Sequence, residues 1–175
     1  MNLSKLFFCI FLSVGTFVLA QQKSYVSQVW VADKGNGTYR NPILYADYSD
    51  PDACRVGEDF YMTSSSFNCL PGLQILHSKD LVNWSIIGAA IPYALPPVTT
   101  PERPEHGNRI WAPSIRYHNN FFYIYWGDPD QGVFMTKAPK AEGPWTEPVM
   151  VKEGKGIIDT CPLWDEDGKV YLVHA

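Results

Sequence analysis

The chain has 175 residues with a net charge of −4, 14% aromatic and only 18% charged residues. That balance gives no basic footprint for nucleic acid or for an anionic membrane. Its 6 Trp, 10 Tyr and 9 Phe suit β-strands, and they also suit stacking on the apolar C–H faces of sugar rings.

In chain order, Met1–Ala20 comes first. Lys5 precedes an apolar run from Leu6 to Val18, and Val18-Leu19-Ala20 supplies the small residues of a cleavage site. The pattern predicts a secretory signal peptide cut near Ala20, and hence a secreted or periplasmic protein. Cys9 lies inside the apolar run and no lipid-anchor cysteine follows, so no membrane anchor is expected. Residues 21–40 form a lead-in. Cys54, Cys69 and Cys161 match no metal-site spacing, and free buried thiols are favoured over one disulfide.

Beyond residue 22 there is no helical periodicity. Short aromatic or β-branched runs follow one another, broken by Gly, Pro, Asn and Asp: Asp59–Ser64, Gly72–His77, Ser85–Gly88, Phe121–Tyr125, Gly132–Thr136 and Val170–His174. This is an all-β pattern. The stretch Ile91–Asn108 carries five prolines and is expected to be a surface loop.

A weak repeat organises these runs. Arg55–Met62, Arg116–Ile124 and Leu163–Leu172 each predict strand, tight turn and strand. The first is followed by His77–Trp84 and the second by Thr136–Trp145, a strand and then a turn closed by Trp. Four-stranded units of this kind are propeller blades, and the chain contains two blades and the first hairpin of a third. Too few blades to close a ring, and an end at Tyr171–Ala175 without turn or cap, predict a fragment of a longer protein.

Asp47, Asp50 and Asp52 cluster just before the first hairpin, with Pro51 stiffening the segment. Asp159 stands in the same place before the third blade, and Trp111 in the corresponding stretch of the second. First strands of blades line the channel, so Asp50, Trp111 and Asp159 are expected to face one pocket. Two carboxylates and an aromatic wall suit glycoside hydrolysis. An Asx-turn at a strand head is the competing structural role for such an Asp.

The stretches NPILYADYSDPDACRVGEDFYMTSSSF, LQILHSKDLVNW, RIWAPSIRYHNNFFYIYW and IIDTCPLWDEDGKVYLVHA resemble glycoside hydrolase family 43, in its order and spacing. The resemblance implies an all-β, five-bladed β-propeller catalytic domain, of which residues 41–175 cover about two and a half blades. It also implies inverting hydrolysis of xylo- or arabino-oligosaccharides by a β-xylosidase or α-L-arabinofuranosidase. Asp50 then becomes the general base, Asp159 modulates the pKa of the acid, and Phe67 and Trp111 line the sugar pocket. The acid Glu is expected beyond Ala175.

No cofactor is implied and no metal ligands are assigned, although some family members carry calcium on the channel axis. Arg55 is a candidate partner for one of the clustered aspartates. Glu142, Glu147 and Glu153 are placed in the turn between the second and third blades. A retaining fructoside hydrolase, and a non-catalytic sugar-binding or inert fragment, stand as alternatives.

Overall fold

The structure is a computed structural model and describes residues 29–95 and 106–175, so the segment 1–20 lies outside the described residues. Ten strands and no helix are found among them. Strands β1 (Asp52–Val56), β2 (Asp59–Thr63), β3 (Gly72–Ser78) and β4 (Trp84–Ile91) form an antiparallel sheet in chain order. A second such sheet contains β5 (Trp111–His118), β6 (Phe121–Asp128), β7 (Gly132–Ala138) and β8 (Val149–Glu153). The hairpin of β9 (Cys161–Trp164) and β10 (Val170–Val173) follows. The expected two blades and a hairpin are therefore present.

Local chemistry makes the hairpins. Gly57 turns β1 into β2 at φ 63°, and Asn119 and Asn120 turn β5 into β6 at φ 47° and 64°. Two consecutive positive φ values match the twist of a two-residue hairpin, and Asn tolerates that region better than other residues with a Cβ.

The two Trp-closed turns also have matching physics. The Trp84 indole donates to Leu81 O at 3.0 Å, and that of Trp145 to Ala141 O at 3.1 Å. In the first turn the Asp80 carboxylate accepts from the Ser78 hydroxyl, the Val82 and Asn83 amides and the Asn83 side chain. These bonds, led by that of the Asn83 side chain, hold the Asp80 carboxyl well below its ordinary value.

A carboxyl lowered on folding stabilises the fold above its unfolded pKa, about 3.9, and loses that contribution as pH falls through the folded value. Asp80→Ala is therefore expected to lower the melting temperature at neutral pH, with the gap to wild type narrowing at acid pH. A gap independent of pH would contradict this.

The core lies between the two sheets. Leu73, Ile75, Ala90 and Ile91 of the first blade pack with Ile115, Phe122, Ile124 and Trp126 of the second. The second blade meets the third through rings, with His118 stacked on Trp164 at 4.8 Å and Tyr123 beside it at 5.0 Å.

Gly127 permits a close main-chain approach here. A Cβ on it would stand 2.8 Å from both Ile157 O and Ile158 Cα. Gly127→Ala is expected to cost about 1–3 kcal/mol in denaturant unfolding, because backbone rather than a flexible side-chain tip must move. An unchanged midpoint would exclude that contact.

Two expectations need correction. None of the three glutamates lies in a turn between the second and third blades: Glu142 and Glu147 lie in the β7–β8 connection inside the second blade, and Glu153 ends β8, its outer strand. Val149, Met150 and Val151 of β8 are all exposed, so no alternation marked it as a strand. All three described cysteines are free, as favoured, but none is fully buried: Cys54 and Cys161 are half-buried and Cys69 is exposed. Burial, with the nearby Asp52 charge, pushes the half-buried Cys54 thiol up to about 11.

Candidate active site

The strands β1, β5 and β9 are the first of their sheets, and β5 packs beside both β1 and β9. Asp50 lies two residues before Asp52, which pairs with Thr63. Asp159 lies two residues before Cys161, which pairs with Val173. The corresponding residue of the second blade is Ala112, two before Ser114, which pairs with Tyr125. All three are left-handed, with φ of 46° at Asp50, 35° at Ala112 and 56° at Asp159.

A non-glycine residue held in that region costs about 1–3 kcal/mol, and such strain collects at functional sites. Matching backbone at three strand heads puts Asp50 and Asp159 in equivalent places. It also moves the correspondence in the second blade from Trp111 to Ala112, a shift of one residue that the shared following proline (Pro51, Pro113) could have revealed.

Asp50 is exposed. Its Oδ2 accepts hydrogen bonds from the Ser65 hydroxyl at 2.7 Å and the Ser49 hydroxyl at 3.0 Å. Ser65 is buried, and its Oγ in turn accepts from the Ala112 amide at 2.8 Å. One serine thus orients the Asp50 carboxylate and joins it to the head of β5. The Asp50 Oδ1 has no partner among the described residues. Asp159 is exposed, and its carboxylate likewise has no hydrogen-bond or ion-pair partner among them.

The two predicted aromatics come together. Phe67, at φ 53°, pairs through its backbone with Ile110, at 3.0 Å and 3.3 Å. This sets its ring edge-on to Trp111, 6.5 Å between centroids. The Trp111 indole donates to Gly107 O. A small cleft lies along Phe67, Cys69, Leu70, Tyr93, Leu95 and Arg109; none of Asp50, Trp111 and Asp159 lines it, so the pocket expected to gather those three is not this one.

The neighbouring aspartates are engaged differently. Asp47 is exposed. Asp52 accepts the Ile115 amide at 2.8 Å and forms a very short ion pair with Arg116. The expected Arg55 pairing does not occur; Arg55 donates to Gly57 O at 2.8 Å and lies over Phe60.

Sequence inspection also missed the buried pair of Arg109 and Asp128, 3.9 Å apart. No periodic or spacing signal announces such a pair across 19 positions. Among the described residues no group of three His, Cys, Asp or Glu side chains gathers as a metal site.

The family model for Glycosyl hydrolases family 43 matches residues 39–175. A non-reducing end alpha-L-arabinofuranosidase of Bacteroides ovatus is 38% identical over 162 residues, covering 85% of this chain and 28% of that protein. A beta-xylosidase of Formosa agariphila is 36% identical over 146 residues, covering 81% and 24%. A family 43 protein of Bacillus licheniformis superposes with a TM-score of 0.67 at 35% identity, over 78% of this chain and 29% of that one. The chain spans about a quarter of the length of the curated relatives it matches. Its sheets are blades of the family's propeller. With matching strand heads, aromatics and blades, the chain belongs to glycosyl hydrolase family 43.

Proposed function

We propose that this chain carries the base side of an inverting pentosidase that removes β-xylosyl or α-L-arabinofuranosyl units from xylo- or arabino-oligosaccharides. The observation that carries the proposal is the equivalence of Asp50 and Asp159 at two inner-strand heads, within family 43.

Asp50 takes a proton from water as that water attacks the anomeric carbon. Ser65 and Ser49 hold its Oδ2, leaving Oδ1 to face the water. Asp159 acts on the acid that protonates the leaving oxygen. Inversion needs base and acid about 6.5–9.5 Å apart, so that water fits between sugar and base. Among the described residues no glutamate stands at an inner-strand head, so the acid is none of these.

Phe67 and Trp111 supply an apolar wall for the pentose ring. The family's hydrolysis needs no cofactor. The described residues by themselves gather no group of three His, Cys, Asp or Glu side chains that would hold a calcium ion.

The test is hydrolysis of para-nitrophenyl β-xyloside and α-L-arabinofuranoside, whose good leaving group departs with little help from an acid, following the first-formed anomer by proton NMR. Inverted product supports the proposal. Retained configuration sinks inversion, and sugar binding without turnover leaves a lectin-like role.

The segment Met1–Ala20 belongs to the same proposal as a secretory signal, placing the enzyme in the periplasm or outside the cell. Mature protein beginning near Gln21 in that fraction supports this, and an intact N-terminus in the cytosol overturns it.

A further inference from the structure

We propose that Arg116 is a positioning residue that sets the spacing of the two carboxylates, a role resting on their catalytic assignment above. Arg116 lies on β5, the inner strand of the middle blade, and its guanidinium spans both neighbours. Nη1 meets Asp52 Oδ2 of β1 and also donates to Ile115 O at 2.7 Å. Nη2 donates to Cys161 Sγ of β9 at 2.9 Å. The same Asp52 oxygen accepts the Ile115 amide at 2.8 Å, so β1 is tied to β5 through side chain and main chain together.

Each residue contacted on a neighbouring strand is two positions after a candidate catalytic carboxylate, Asp52 after Asp50 and Cys161 after Asp159. Both intervening paths are stiff. Pro51 fixes its own φ, and Thr160 is buried at 2% exposure. A shift of either strand head therefore reaches the carboxylate above it. The planar guanidinium presents Nη1 and Nη2 to the two partners at fixed angles, whereas a lysine ammonium gathers its three donors on one nitrogen and lacks that span.

The experiment compares backbone amide shifts of the full chain in wild type, Arg116→Met, Arg116→Lys, Asp52→Ser and Cys161→Ala. Asp52→Ser is expected to move the amides of Asp50 and Ser65, and Cys161→Ala those of Ile158 and Asp159. Arg116→Met should move both sets, and Arg116→Lys should restore one only. If Arg116→Met does not fold, the two single-arm variants decide.

With an aryl pentoside, Arg116→Met should lower kcat about 100-fold while KM changes little, the signature of misplaced rather than unbound substrate. A variant that melts lower yet keeps wild-type kcat, or leaves the Asp50 and Asp159 amides unmoved, makes Arg116 a structural tie and overturns the proposal. Absence of turnover in wild type sinks the hydrolase proposal alone, because the amide shifts still decide the role of Arg116.

Discussion

Asp50→Asn is expected to lower kcat/KM on an aryl pentoside by about 10²–10⁴-fold, the usual worth of a positioned general base. The amide keeps the shape and can still accept from Ser49 and Ser65, but it cannot take a proton from water. Because Asp50 is exposed and its carboxylate makes only those two side-chain bonds among the described residues, the melting temperature should hardly change.

The neighbouring aspartates are the controls. Asp47→Asn should leave both rate and stability near wild type, since Asp47 is exposed. Asp52→Ser should lower stability, because it breaks the tie to Ile115 and Arg116. Steady-state kinetics with circular dichroism melts separate these cases. Full activity in Asp50→Asn, with loss in the Asp47 variant, would move the base to Asp47.

Trp126→Ala should cost about 3–5 kcal/mol, a large share of the 5–15 kcal/mol that holds a typical domain folded. Trp126 is fully buried, stacks on Phe134 at 5.7 Å and belongs to the cluster that joins the two blades. Removing its ring leaves a cavity at the seam rather than inside one sheet, so both blades lose their shared support.

Trp126→Phe should cost much less. It retains most of the ring, and it removes an indole N–H that is buried without a hydrogen-bond partner among the described residues. An unpaired buried donor costs about 1–3 kcal/mol, which offsets part of the lost volume. Urea unfolding followed by fluorescence gives both values. Equal destabilisation by Ala and Phe would show that the shape of the whole indole, rather than burial of an aromatic ring, holds this site.

The features legible in the sequence are those with local causes. Gly57 and Asn119-Asn120 mark hairpins because only certain residues accept a positive φ, and Trp84 and Trp145 mark the two closed turns. Asp50 and Asp159 were visible for a similar reason, since each sits at a fixed distance from a recognisable hairpin. β8 escaped notice because all five of its side chains are exposed, so it lacks the alternation that announces a half-buried strand.

The many aromatics among few charges find their place in the core and in the Phe67–Trp111 pair. By itself, the sequence determined the blade repeat, the two carboxylates and the family. It could not say which aspartate near Asp50 is held by a cation. The partner of Asp52 is 64 residues away, and the thiol on the other side of that arginine a further 45. Such contacts leave no trace in local spacing. Only packing β5 between β1 and β9 brings one guanidinium within reach of both neighbours, because each blade buries its faces against the next.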